Sequence, residues 1–322
     1  MKAYCVFDDF PVSAQRTLTD NGIELTLNPK GEPRPEGEAL KAIVEEYDII
    51  IISTAQKISE GMLEGITSPK IIATASIGTD HIRVPADRKE LMRVVNAPKA
   101  NRITVAEHTF GLILTLKKQL IEAREAAAKG RSKKTMAGKP HDLYGSTIGV
   151  VGAGGIAGAI LDMAKAFGMK RLSWTLHPEN HGDMSADGVG FVTLDELAER
   201  SDIIAVSIPL TDKTKGLISR ELISKIKSGA VFISTSRTEV TDNAALFERA
   251  AEGEISVGMD VDADKVAGLW SQDMKNVIIT PHIAGGTVES RIRLFDEVSG
   301  NIAAIKNTDY KTAQESAKGA NK

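Results

Sequence analysis

The sequence predicts an α/β protein built from two successive parallel-sheet units. Three observations carry that reading. The chain has 322 residues, enough for two domains at ~150 residues each. Short apolar, β-branched runs alternate with amphipathic stretches of helical spacing, which is the rhythm of βαβ units. That rhythm lapses in a polar, basic stretch and restarts at Ser146.

In the first unit, strands are predicted at Lys2–Phe7, Ile23–Leu27, Asp48–Thr54, Lys70–Ser76 and Arg93–Asn96. Ile49–Ile52 is apolar throughout, as a strand buried on both faces must be. Segments between them read as helices, such as Glu36–Glu46 with Leu40, Ile43 and Val44. A long, largely buried helix begins near Asn101 and carries Val105, Phe110, Leu112, Ile113 and Leu116. Ala126–Lys139, with Gly130, Ser132 and Gly138, reads as a loop between units, and its Lys129, Arg131, Lys133 and Lys134 suit a solvated loop or dimer arm, with contact to an anionic ligand as the alternative.

In the second unit, Thr147–Val151 is a strand and Ile156–Phe167 a helix. Further strands are predicted at Leu172–Leu176, Ile203–Ile208, Ala230–Thr235, Ser256–Val261 and Val277–Thr280, with helices such as Asn243–Ala251 between some of them. A last helix spans about Val288–Lys306. The tail Thr308–Lys322 is polar and aperiodic, so disorder is expected there.

Composition narrows the function classes. Lys+Arg 40 against Asp+Glu 43 gives a net charge of −3, which excludes a broadly basic nucleic-acid binder. With 42% hydrophobic and 26% charged residues, disorder over the whole length is excluded too. No apolar run approaches the ~20 residues that span a bilayer, and the N-terminus reaches Asp8 and Asp9 without an apolar leader core. The one cysteine, Cys5, lies in a predicted buried strand, makes no internal disulfide and is expected to be inert. A cytoplasmic protein is the default expectation.

The first chemical motif is Gly152-Ala153-Gly154-Gly155-Ile156-Ala157, between the strand Ile148–Val151 and a helix. Gly152 permits a tight turn, Gly154 lets a diphosphate approach the backbone, and Ala157 lets helix pack close to strand. Free N–H groups and the helix dipole then hold the phosphates. A glycine-rich turn without ligand and a methyl-donor site are the competing readings. An NAD site normally carries an acid about 20 residues on, at the ribose. Here Thr175 and His177 stand there, Glu179 is the nearest acid, and only His177 and His181 are near enough to attract a 2′-phosphate. NAD and NADP both stay open.

Several ordered motifs resemble the D-isomer-specific 2-hydroxyacid dehydrogenase family, most clearly over residues 45–300. They are Val95-Asn96-Ala97-Pro98, Val105-Ala106-Glu107, Leu143–Gly149, Pro209-Leu210-Thr211 with Thr214 and Gly216, Ser234–Arg237, and Thr280–Gly286. The resemblance implies two doubly wound parallel-sheet domains. A Rossmann nucleotide domain (99–288) would be inserted into a flavodoxin-like substrate domain (1–98 plus 289–322). It also implies a small anionic 2-hydroxy or 2-keto acid as substrate, bound in a cleft that closes to exclude water, and a homodimer formed through the nucleotide domain.

The same resemblance implies roles for single residues. Oxidising a 2-hydroxy acid moves a hydride to nicotinamide and a proton to a base. His282, behind Pro281 at a strand end, suits that base. His81, His108, His141, His177 and His181 lack that combination of placement and motif. Arg237 would bind carboxylate in two-point fashion and stabilise charge on oxygen. From the first domain, Thr54, Ala55, Ile77 and Gly78 are expected at the substrate carboxylate. Thr104, Gly152, Gly154, Gly155, Ile156, Thr175, His177, Pro209, Thr214, Thr235, Ser236, Asp260 and Gly285 are expected at the cofactor. No metal is expected; Asp80–His81 alone is a weak ligand set. Trp270 and Met274 suit either a substrate pocket or the core.

Two departures from the family stand out. Lys265 occupies the place of the glutamate that pairs with the catalytic histidine, and Val266 that of the following proline. A cation there would favour neutral imidazole, the reverse of the family's tuning. Asp264 substitutes through a one-residue loop shift, or the histidine acts unassisted and favours alcohol oxidation, or turnover is weak and the substrate unusual. Second, Thr238 follows Arg237 where the family has glycine, and Ser234 replaces its asparagine; threonine tolerates positive φ poorly, so a different backbone is expected after Arg237. The leading function is hydride transfer between NAD(P) and a D-2-hydroxy acid/2-keto acid pair. The alternatives are an NAD(H)-sensing protein with little turnover, or a family member acting on another small anion.

Overall fold

The computed structural model describes residues 1–132 and 138–308. They divide into two compact units, Met1–Asn101 with the segment from Val288 onward, and Arg102–Thr287. Lys133 and Lys134 of the basic loop, and the tail from residue 309, lie outside the described residues.

The first unit holds a five-stranded sheet of β1 (Lys2–Cys5), β2 (Glu24–Leu27), β3 (Ile49–Ile52), β4 (Lys70–Thr74) and β5 (Met92–Val95), all parallel, in the order β2-β1-β3-β4-β5. This is the flavodoxin-like order. Every residue of β3 and β4 is buried, so their continuous apolar sequence is explained by cover on both faces. Helices α1 (Val12–Asp20) and α2 (Gly37–Glu46) connect the early strands. The C-terminal helix Val288–Thr308 returns to this unit and brings Phe295, Val298 and Ile302 into its core. Phe295 meets Phe7 and Phe10 edge-on at ring-centroid distances of 4.8 and 4.9 Å. β1 ends at Cys5 rather than at the expected Phe7, because Phe7 leaves the ladder to pack on that helix.

The second unit holds a seven-stranded parallel sheet: β6 (Thr147–Val151), β7 (Lys170–Trp174), β8 (Gly190–Phe191), β9 (Ile203–Val206), β10 (Val231–Ser234), β11 (Ser256–Asp260) and β12 (Val277–Thr280). The order is β12-β11-β10-β9-β6-β7-β8, the Rossmann order with one further strand. Consecutive residues alternate between two cores. Ile203, Ala205, Val231 and Ile233 face one; Ile204, Val206 and Phe232 face the other. That alternation is the pleat of a strand read from both sides. Helices α3 (Arg102–Lys117) and α5 (Gly155–Ala166) cover the first face. Helices α7 (Leu194–Arg200), α8 (Arg220–Ser224) and α9 (Asn243–Ala251) cover the second. Trp270 and Met274, half-buried, pack against that second core.

Most strands are shorter than expected by one or two residues at an end, and other elements differ further. Ala126–Ala128 belong to helix α4 (Leu120–Ala128), which follows a left-handed Gln119 (φ 52°), and the loop begins only at the left-handed Gly130 (φ 64°). β7 runs Lys170–Trp174 rather than Leu172–Leu176, because Lys170 N–H donates to Ser146 O at 2.8 Å and starts the ladder at polar residues. The two-residue β8 and the short α6 (Gly182–Ala186) lack a periodic signal. No helix among the described residues is long and apolar enough to cross a membrane.

Candidate active site

The order of the large sheet reverses at β6 and β9, and an α/β sheet binds its ligand outside the carboxyl ends of the strands at such a point. Gly152 follows β6 there, with φ 122°. A Cβ on it would lie 2.7 Å from the Ser207 carbonyl oxygen, so only glycine fits. Its N–H donates to Trp174 O at 2.8 Å, and the buried Ser173 Oγ donates to its carbonyl at 2.9 Å. Gly154, in extended conformation, is the N-cap of α5 and offers no side-chain cap; no acid stands in the first turn. A Cβ at Gly154 would meet nothing within 4 Å, and one at Gly155 would lie 3.5 Å from the Arg102 side chain. Uncapped N–H groups of Gly155 and Ile156 and an open approach fit a dinucleotide diphosphate, with the aliphatic stem of Arg102 beside them. Arg102 was missed in the sequence, where nothing marks it as a neighbour of the turn.

Thr175, half-buried, follows β7, and the exposed His177 places Nδ1 3.1 Å from Glu179 Oε1. The arginine of that strand, Arg171, is committed to Asp187 at 2.7 Å. Neither a free acid at the strand end nor this arginine decides between NAD and NADP.

Strand registers then lay out the rest of the edge. Val151 pairs with Val206, Val206 with Ser234, Ser234 with Met259, and Asp260 with Thr280. Gly152, Ser207, Thr235, Asp260 and Thr280 therefore form one row. Four strand spacings of ~4.8 Å separate its ends, about 19 Å along the edge. Ser236 Oγ ties the row together: it accepts from Ile208 N–H at 3.1 Å and donates to Ile208 O at 2.8 Å. Thr214 Oγ1 accepts from Thr211 N–H at 2.8 Å and donates to Pro209 O at 2.6 Å. Both hydroxyls are buried and shape the loops beside the site. Thr104 is buried on the first turn of α3, and Thr235 is half-buried at its strand end.

Asp260 is 2% exposed and closes β11. Its Oδ1 accepts from Thr280 Oγ1 at 2.6 Å and from Ile283 N–H at 2.8 Å, and its Oδ2 from Ala284 N–H at 2.8 Å, just ahead of Gly285. Since the Thr280 proton goes to the carboxylate, His108 Nε2, 3.0 Å from Thr280 Oγ1, is the donor in that contact. Asp260 thus builds the turn that carries His282. His282 N–H donates to Thr280 O at 2.9 Å, closing a tight turn over Pro281. The residue itself is left-handed, with φ 54°, a conformation that costs about 1–3 kcal/mol and collects at functional sites.

His282 Nδ1 lies 2.9 Å from Asp262 Oδ1. The hydrogen bond from His282 holds the Asp262 carboxyl below the usual carboxylate range, against partial burial, with further attraction from His282 and Lys265. An ionised acceptor puts the hydrogen on Nδ1 and leaves Nε2 for a substrate oxygen. The acid that meets the histidine is therefore Asp262 and not the expected Asp264, which is exposed in a 3-10 turn (Ala263–Val266). Lys265 stands between two acids beside the histidine. Its ammonium pairs with Glu239 Oε1 at 2.9 Å and stands 3.6 Å from Asp262 Oδ2. Thr238 does not adopt positive φ; it opens a 3-10 turn (Thr238–Val240) with Arg237, half-buried and extended, at its N-cap.

In the first unit, Thr54 and Ala55 are exposed after β3, and Ile77 and Gly78 are half-exposed after the neighbouring β4. Three carbonyls of this loop are drawn inward. Ser76 O accepts from Ala97 N–H at 2.9 Å, Ile77 O from Asn96 Nδ2 at 2.6 Å, and Gly78 O from Ser76 Oγ at 2.7 Å. In trans peptides the N–H groups of Ile77, Gly78 and Thr79 must then point the other way, three successive donors of the kind that can bind a carboxylate. His81 Nε2, 3.0 Å from Thr74 Oγ1, braces the same loop.

Residues 110–284 match the family described as D-isomer specific 2-hydroxyacid dehydrogenase, NAD binding domain. A hydroxypyruvate reductase of Thermotoga maritima is 34% identical over 272 residues, 82% of this chain and 86% of the relative. A D-lactate dehydrogenase of Aquifex aeolicus, solved with NAD and lactic acid, is 27% identical and superposes with a TM-score of 0.77 over 98% of each chain. An acyclic imino acid reductase, solved with NADPH and D-Arg, is 25% identical with a TM-score of 0.83 over 95% of this chain and 97% of that one. With the dinucleotide turn, the histidine turn and both sheet orders in place, the chain belongs to the D-isomer-specific 2-hydroxyacid dehydrogenase family, NAD(P)-dependent oxidoreductases acting on CH–OH donors.

Proposed function

We propose that this protein interconverts a small D-2-hydroxy acid and its 2-keto acid, with His282 moving the proton and Asp262 holding it. One observation carries the assignment: a left-handed histidine at a strand end whose Nδ1 is fixed by an ionised carboxylate. NAD or NADP, when bound, supplies or accepts the hydride. The Gly152–Ile156 turn and Arg102 bind its diphosphate, and Thr175 and His177 stand at its ribose. The N–H groups of Ile77, Gly78 and Thr79 bind the substrate carboxylate, with Thr54 and Ala55 beside it. Arg237 binds the same anion and stabilises charge on the reacting oxygen. In reduction, His282 Nε2 protonates the oxygen as it becomes an alkoxide. In oxidation, it takes the hydroxyl proton. Either way Asp262 accepts from Nδ1 and steadies the charged ring.

The relatives support a three-carbon acid as the first substrate to test, hydroxypyruvate or pyruvate. A homodimer belongs to the same proposal, supported by exposed apolar side chains of the second unit (Ile103 45%, Leu120 50%, Phe167 40%). So does a cytoplasmic setting, supported by the single cysteine. The test is a reductase screen of 2-keto acids with NADH and NADPH, following absorbance of the reduced cofactor. Turnover of at least one acid, with rates for the two cofactors within about 1000-fold, is expected, since no charged residue decides the ribose site. Dinucleotide binding without turnover of any acid would refute the proposal.

A further inference from the structure

Both departures of this chain from its family meet on one residue, Glu239. Lys265 Nζ donates to Glu239 Oε1 at 2.9 Å, and the buried Thr238 donates from Oγ1 to Oε2 at 3.1 Å. Lys265 also lies 3.6 Å from Asp262 Oδ2, whose other oxygen holds His282. The contacts make one continuous chain, Thr238–Glu239–Lys265–Asp262–His282, across the ends of three neighbouring strands, β10, β11 and β12.

We propose that Glu239 and Lys265 are positioning residues, an outer ion pair that holds Asp262 against the His282 imidazole. The inference rests on the reading of His282 as the proton-transfer group. A lone lysine beside Asp262 would compete with the imidazole for its carboxylate. Glu239 removes that competition, because the ammonium lies closer to Glu239 than to Asp262 and its charge is answered there. Lys265 then tethers Asp262 Oδ2 and leaves Oδ1 to the ring. The charged groups bearing on Asp262 are His282 and Lys265; on Lys265, Glu239 and Asp262; on Glu239, Lys265. Arg237 precedes Thr238 in the chain, and on the buried side Asp260 and His108 serve the backbone turn and Thr280.

The test uses opposite charge changes. Glu239→Gln leaves Lys265 unanswered, and Lys265→Met leaves two carboxylates unanswered. All four side chains are 38–46% exposed, so the variants are expected to fold with melting points near the parent. The readouts are the pH midpoint of kcat/KM and, without cofactor or substrate, the NMR titration of the His282 ring, assigned with His282→Gln. At low salt we expect the midpoint to fall by about 0.3–0.5 pH unit in Glu239→Gln and to rise by about as much in Lys265→Met. Both shifts should shrink in 1 M salt, and the double variant should return close to the parent. Single variants that leave both midpoints unmoved, or move them in the same direction, overturn the proposal. If His282→Ala retained full turnover, the acid/base reading would fail instead, and the ring titration would still decide the ion-pair claim.

Discussion

Asp262 and His282 stand 20 residues apart in sequence and 2.9 Å apart in space, and the offset of 20 is that of the strands behind them. β11 and β12 run parallel with Asp260 opposite Thr280. Asp262 and His282 each lie two residues beyond the last paired residue of their strand, so the register delivers both to the same stretch of the sheet edge. The carboxylate that serves the histidine thus comes from just past the strand end, not from the loop position where the family keeps its glutamate.

The phosphate turn separates two kinds of glycine. Gly152→Ala is expected to cost ~2–4 kcal/mol, from positive φ together with a clash against the Ser207 carbonyl. Gly154→Ala meets no atom within 4 Å and has ordinary φ, so it should fold normally and lose NAD(P)H affinity by 10-fold or more, about 1.4 kcal/mol. Thermal melts with a fluorescence titration check both. Equal loss of stability in the two variants would contradict the turn geometry.

The left-handed backbone at His282 makes stability and function separable. Glycine adopts that conformation without penalty, whereas alanine pays about 1–2 kcal/mol. His282→Gly should therefore melt about 2–4 °C above His282→Ala, while both lack turnover. Identical melting points would mean that φ 54° carries no strain.

Asp260 is the structural counterpart of Asp262. Its buried carboxylate receives one hydroxyl and two backbone N–H donors. Asp260→Ala leaves those donors without their acceptor, a loss of about 3–5 kcal/mol, and lets the histidine turn drift. Urea unfolding should show the loss, and kcat should fall with it. A variant of parental stability would show that the turn holds its shape unaided.

Acid should erode the Asp262 pair in a defined window. The folded Asp262 carboxyl is held below its ordinary value, first by the hydrogen bond from His282. Its contribution to stability is therefore present above the unfolded value, near pH 4, and is lost as pH falls through the lower folded value. Glu239, lowered by the hydrogen bond from Lys265, behaves alike. With both side chains partly solvated, each contributes at most about 1 kcal/mol. The stability gap between the parent and Asp262→Asn should thus shrink as pH falls from about 5 to below 4. A gap that widens below pH 5 would contradict the sign.

Much of this was legible in the sequence, for reasons that particular residues make plain. Ile49–Ile52 and Ile203–Val206 are buried on both faces, so their apolar runs announce parallel strands. Gly152 and Ala157 are set by close packing that tolerates little else. The histidine and arginine motifs placed His282 and Arg237 at strand ends. Asp262 was not legible, because motif alignment pairs by loop position while the structure pairs by register. Adding the β11–β12 offset to Asp262 points to His282, a signal available once the two strands are aligned. Arg102 lay beyond any local pattern, since its neighbour Gly155 is remote in sequence. Lys265 read as a cation facing the histidine, because Glu239, its partner, lies 26 residues away.

The most direct test of the central claim is kcat for reduction of the best 2-keto acid in His282→Ala, with the dissociation constant for NAD(P)H measured on the same sample. A fall in kcat of about 100-fold or more, with cofactor affinity unchanged within a few-fold, is the expected result. Turnover near the parental rate would show that another group moves the proton and would contradict the account.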